Sequence, residues 1–143
     1  MRISEVVAGK ASHEIVTISP DATVRDLVAL LATHNIGAAI VSADGTAVVG
    51  IVSERDVVRQ LNGNDGALSL SVAEIMTTDV RTCAPSSSLA EVRSVMTEGR
   101  FRHLPVVEEG RLVGVVSIGD IVKNHIDQVE FERDQLDSYV HQT

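Results

Sequence analysis

Apolar positions fall at helical spacing in several stretches, with short β-branched runs between them. Ile3 to Gly9 reads as a short helix stopped by Gly9, followed by a polar loop over Lys10 to Glu14 and a strand at Ile15 to Ile18. After a turn at Ser19-Pro20-Asp21, Thr23-x-x-Asp26 has the form of a capping box. It opens a helix near Val24 whose apolar face is Val24, Leu27, Val28, Leu30, Leu31 and Ala32, ending at His34-Asn35. A buried strand (Ala38 to Val41), a hairpin turn at Asp44-Gly45 and a return strand (Ala47 to Val52) come next, and Ser53 leads into a helix over Glu54 to Leu61. The polar Asn62 to Gly66 run reads as a linker, and Ser71-x-x-Glu74 caps a short helix through Met76.

From Val80 the pattern restarts. A strand at Val80 to Cys83, a turn at Ala84-Pro85 and a Ser88-x-x-Glu91 cap lead to a helix faced by Leu89, Val92, Val95 and Met96. Strands at His103 to Val107 and Leu112 to Val116 flank a turn at Glu109-Gly110, and one long helix runs from Asp120 to about Val140. Pro20/Pro85, Val24/Leu89 and Gly45/Gly110 lie 65 residues apart; Gly50/Gly114, Ser53/Ser117 and Asp56/Asp120 lie 64 apart. The chain is therefore a tandem duplication of a strand-helix-strand-strand-helix unit. Its expected divisions are residues 1–66, 67–125 and a helical extension, 126–143.

Composition narrows the function. Apolar residues make up 44% of the 143, enough for a core, but only 2% are aromatic, which disfavours base-stacking platforms. Twelve Lys and Arg against 20 Asp and Glu give a net charge of −8, a poor match for nucleic acid or anionic lipid. Cys83 is the single cysteine, and nowhere do about 18 apolar residues run together. These features lead to the expectation of a soluble, cytoplasmic protein. The apolar stripe of the last helix suits packing on the same chain or on the mate in a homodimer.

The paired Gly-x-x-Ser-x-x-Asp elements (50–56 and 114–120), the Pro in each first turn and Arg102-His103-Leu104-Pro105-Val106-Val107 carry a more specific likeness. Together they resemble a pair of cystathionine-β-synthase (CBS) domains, a Bateman module, over residues 3 to 125. The resemblance implies an α/β (α+β) fold of two units about a pseudo-two-fold axis. It also implies two clefts for an adenosyl ligand such as AMP, ADP, ATP, NAD or S-adenosylmethionine, and a regulatory role with an unknown downstream protein partner.

By that resemblance Asp56 and Asp120 hold ribose hydroxyls, which an ionised carboxylate can accept in pairs. Each Asp can equally cap its helix. Ser53, Arg55, Arg102, His103 and Ser117 are the implied phosphate contacts. Base contacts are implied at Thr78, Asp79, Val80 and Phe101 for the Asp56 cleft, and at His13, Ile15, Ile36 and Gly37 for the Asp120 cleft. Where the second repeat has Arg102-His103 the first has Gly37-Ala38, and Gly119 stands where Arg55 does, so the clefts are expected to differ in phosphate affinity. No Walker loop, nucleophile elbow, His-Glu-x-x-His pair or metal-spaced Cys/His set occurs, so no catalytic or metal-binding residue is assigned. A ligand-free interaction scaffold and, behind it, a nucleotide-processing enzyme are the alternatives.

Overall fold

The computed structural model describes residues 1–141, so residues 142 and 143 of the expected extension lie outside the described residues. The helices are α1 (Ile3–Ala8), α2 (Val24–His34), α3 (Glu54–Leu61), α4 (Val72–Ile75), α5 (Leu89–Gly99) and α6 (Ile118–Val140). The strands are β1 (Thr17–Ile18), β2 (Ala38–Val41), β3 (Gly50–Ser53), β4 (His103–Glu108) and β5 (Arg111–Ser117). Capping sets the helix starts. Thr23 Oγ1 accepts from the Asp26 N–H at 3.1 Å while the Asp26 carboxylate accepts from the Thr23 N–H at 3.0 Å. Ser53/Asp56 and Ser117/Asp120 repeat this reciprocal pair at α3 and α6.

In the first repeat β1 runs parallel to β2, and β2 pairs antiparallel with β3. In the second, β4 and β5 form an antiparallel pair. The expected strand at Val80 to Cys83 is not formed: only a parallel bridge joins Cys83 to Val106. The N–H of Val80 turns back to Thr78 O at 3.0 Å, which takes it out of any ladder. Likewise β1 covers only half of Ile15 to Ile18, and β3 starts at Gly50 instead of Ala47. In the latter case Asp44 is the cause. One of its carboxylate oxygens accepts from the N–H groups of Thr46 and Ala47 at 2.8 and 2.9 Å. Those bonds hold the Asp44 carboxyl well below the usual range and use donors that a ladder would need. After the linker a single 3-10 turn, Ala67–Ser69, appears where the sequence carried no helical signal.

Each repeat completes the other's core. Val72 and Ile75 of α4 lie with Leu27, Val41 and Val52 of the first repeat, while Ile3 and Val6 of α1 lie with Leu89, Leu104 and Val116 of the second. Matching antiparallel bridges anchor the exchange, Thr23 to Ser71 and Arg2 to Ser88. The division near residue 66 thus describes the repeat in sequence, whereas each core draws its leading helix from the other side of that point. The exchange also explains Gly50 and Gly114. A Cβ on Gly50 would stand 2.6 Å from Met76 Sδ and 3.0 Å from Thr77 O, and one on Gly114 would stand 3.2 Å from Val7. Each glycine leaves room for the segment that crosses over from the opposite repeat.

Candidate functional site

The two strand ends that carry Ser and Asp face two clefts. At Asp56, Oδ2 accepts from the Ser53 N–H at 2.8 Å and the Ser53 hydroxyl at 3.1 Å. At Asp120, Oδ2 accepts from the Ser117 N–H at 2.9 Å. Capping is therefore real in both repeats, and it uses one carboxylate oxygen. Among the described residues no hydrogen bond or ion pair reaches Oδ1 of either Asp. Capping and acceptance of a ligand hydroxyl are compatible on the same side chain.

The Asp56 cleft is a cavity of about 370 Å³. Arg55 and Arg59, one turn apart on α3, line it together with Arg81, Arg100 and Arg102. These five arginines face three carboxylates, Glu54, Asp56 and Asp79, in a chain whose net charge is −8. Ile51, Val80 and Phe101 supply the apolar wall. Arg100 ends α5 in the left-handed region (φ 57), the position that Asn35 (φ 51) holds at the end of α2. A left-handed backbone is uncommon for Arg, and here it occurs on a residue that lines the cleft.

The Asp120 cleft is built differently. Lys10 Nζ stands 3.0 Å from Asp120 Oδ2 and donates to Val115 O at 2.9 Å. Burial pushes the Asp120 carboxyl upward, but the Ser117 N–H and the Lys10 ammonium outweigh it and hold the carboxyl below its ordinary value. Ser117 lines a cavity of about 370 Å³ and Asp120 a neighbouring one of about 690 Å³. Lys10, Glu14, Val16 and Ile36 belong to the walls of both. His103, Gly37, Ala38 and Ile51 border both the Asp56 cleft and the Ser117 side of the second cleft. Burial lowers the His103 imidazole below its ordinary value; Asp120 partly opposes this, while Lys10 and Arg102 reinforce it.

The residues singled out in the sequence distribute as follows. Ser53, Arg55, Asp56, Asp79, Val80, Phe101, Arg102 and His103 share the Asp56 cleft, and Ile36, Gly37, Ser117 and Asp120 line the second. Thr78, His13 and Ile15 line neither; Thr77, Glu14 and Val16 stand there instead. In extended backbone successive side chains face opposite sides, so a shift of one residue exchanges 13 and 15 for 14 and 16. Arg59, Arg81 and Lys10 escaped the sequence reading. Arg59 was legible as the i+4 neighbour of Arg55; Lys10 meets Asp120 across 110 residues and left no local signal. Burial pushes the Cys83 thiol up to about 11, away from the thiolate form.

A sequence model described as CBS domain matches residues 3–63 and 72–127. The chain belongs to the CBS-domain family. The mitochondrial CBS domain-containing protein CBSX3 of Arabidopsis thaliana is 33% identical over 96% of this chain and 71% of that protein. The CBS-domain containing protein ATU1752 of Agrobacterium tumefaciens superposes with a TM-score of 0.81 at 39% identity, covering 87% of this chain and 99% of that one. The CBS domain pair of protein MJ0100, solved with 5'-methylthioadenosine and S-adenosyl-L-methionine, superposes at 0.77 over 90% of this chain and 98% of that one. Its identity is 23%, a likeness of fold. The CBS pair described here thus has the expected tandem fold extended by α6, and none of its helices is long and apolar enough to cross a membrane among the described residues.

Proposed function

We propose that this CBS pair is a non-catalytic regulatory module that binds an adenosyl nucleotide, with the Asp56 cleft as its principal site. The observation that carries this reading is the gathering of five arginines around Asp56 in an acidic protein. Scattered surface charge has no reason to concentrate in one half-apolar cavity of ligand size, whereas a phosphorylated ligand needs both the charge and the wall. Ribose hydroxyls go to Asp56 Oδ1, phosphates to Ser53, Arg55, Arg102 and His103, and the base to the Val80 and Phe101 side. ADP, ATP or NAD suits this cleft. The Asp120 cleft, where Lys10 and Lys123 face Glu14, Asp120 and Asp127, suits a less anionic ligand such as S-adenosylmethionine. The ligands of the MJ0100 pair belong to that chemical class.

Calorimetric titration of the intact protein with AMP, ADP, ATP, NAD and S-adenosylmethionine tests the reading. Heat and a raised melting temperature with at least one of them are expected; silence with all five would leave an interaction scaffold. Where the ligand carries phosphate, affinity rises as the pH falls below 6.5, the ordinary imidazole value, because a bound anion draws a proton onto His103. The same protonation destabilises the free protein, since the unfolded chain is the better proton acceptor. A pH profile unchanged by His103→Ala would count against this contact.

The regulatory assembly we propose is a cytoplasmic homodimer. Val28, Val58 and Leu61 on α2 and α3, and Ile118, Val122 and Ile126 on α6, are exposed large hydrophobic residues on helices of both repeats. Burying them against a second copy removes apolar surface from water. Sedimentation equilibrium at micromolar concentration should give twice the chain mass, and a monomer would refute the assembly.

A further inference from the structure

Lys10 has no equivalent in the first repeat. Ile51 there exchanges backbone hydrogen bonds with Thr77, which follows α4, at 2.9 and 3.0 Å. At the matching strand position in the second repeat, Val115 O instead accepts from the ammonium of Lys10, which follows α1. The same ammonium reaches Asp120 Oδ2, so one side chain ties the crossing segment to both β5 and the start of α6. The consequence for the cleft is geometric. Ser53 and Asp56 line a single cavity. Ser117 and Asp120, held equally close by their capping pair, open onto separate cavities that share Lys10 in their common wall.

We propose that Lys10 is an internal competitor that divides the Asp120 cleft and occupies its carboxylate, so the cleft accepts an adenosyl ligand only when the ammonium swings aside. The inference rests on the ligand-binding reading above and deepens it. Vicinal hydroxyls offered to Asp120 meet a carboxylate whose Oδ2 already holds the Lys10 ammonium beside the Ser117 N–H and whose charge that ammonium offsets, while Asp56 has no cationic partner among the described residues. The clefts then fill in order, Asp56 before Asp120. Movement of Lys10 also frees Val115 O, so occupancy of the second cleft is transmitted to the chain that follows α1. Lys10 thereby sets which cleft responds at low ligand concentration.

Adenosine and AMP are the probes, because one offers the diol without the anion and the other offers both. In an Asp56→Ala background the Asp56 cleft is weakened, and the part of the calorimetric signal that Asp120→Asn removes reports the Asp120 cleft. Adding Lys10→Met is expected to raise adenosine affinity about fivefold or more, the scale of releasing a partly buried ion pair. Further replacement of Asp120 by Asn should abolish that gain. Adenosine affinity that stays level or falls would overturn the proposal, and an AMP affinity that falls would identify Lys10 as a phosphate contact instead. Lys10→Gln provides the same comparison if Lys10→Met does not fold, as judged by thermal unfolding. Absence of heat with both probes in every protein would overturn this inference, and the ligand-binding reading falls with it only if ADP, ATP, NAD and S-adenosylmethionine also give no heat with the wild type. Heat in the wild type with no gain on Lys10→Met would remove this inference alone.

Discussion

Ile3→Ala is expected to lower the free energy of unfolding by about 2–5 kcal/mol, the range for truncating a fully buried aliphatic side chain. The position looks dispensable by its place near the start of the chain, where terminal residues are usually poorly fixed. Yet Ile3 is 0% exposed and packs in the core of the second repeat with Leu89, Val92 and Leu104. Its backbone is fixed as well: the N–H of Ile3 donates to Ser87 O at 2.8 Å, and that of Ser4 to Pro85 O at 2.9 Å. Loss of the side chain leaves a cavity that the anchored helix cannot collapse to fill. Urea unfolding followed by circular dichroism measures the effect, with Leu136→Ala on the exposed part of α6 (65% exposed) as the comparison, expected within about 0.5 kcal/mol of wild type. A loss at Ile3 as small as that at Leu136 would mean that α1 is not part of the second core in solution.

Asp56→Ala should weaken adenosyl-ligand binding about 10- to 150-fold, corresponding to about 1.5–3 kcal/mol for hydrogen bonds to a charged group. The Oδ2 atom is engaged by Ser53, so the substitution also removes half of a capping box, at a cost of about 1 kcal/mol in stability. Asp56→Asn separates the two effects: the amide oxygen can still accept from Ser53, but the charge offered to the ribose is gone. The expected result is near-native stability with most of the affinity lost. If calorimetry returned native affinity for Asp56→Ala, the carboxylate would be a cap and nothing more, and the arginines around it would need another ligand orientation.

Local chemistry is what made the fold legible. Thr23/Asp26 and Ser53/Asp56 fix the starts of α2 and α3 where the sequence places them, whereas α6 begins at Ile118, ahead of the expected Asp120, because Ser117 and Asp120 close a capping box there. The repeat in register supplied the family and the pairing of the two motifs. Features set by distant contacts were not legible. The Val80 to Cys83 run is β-branched and polar in the manner of a strand, but its residues serve the cleft, and Val80 and Arg81 line it. The same competition shortened β1, whose preceding residues Glu14 and Val16 line the second cleft. Alternation along an extended segment is readable only once its register is known, and the resemblance that implied His13 and Ile15 does not set that register, whereas Glu14 and Val16 line the second cleft. No periodicity in the chain announces that α1 and α4 change sides, although Gly50 and Gly114 mark where they cross.

The crossing of α1 and α4 bears on how such a protein can become asymmetric. A single repeat would hold one helix that it cannot bury and one face that it cannot cover. Two separate copies could satisfy each other only by trading those helices, and the stability of that pair would depend on its concentration. Symmetry would also oblige both of its clefts to carry the same residues. Joining the copies in one chain replaces that dependence with a fixed effective concentration and releases each half from matching the other. Arg55 opposite Gly119, Arg102-His103 opposite Gly37-Ala38, and Lys10 with no counterpart are differences that only the fused form can hold.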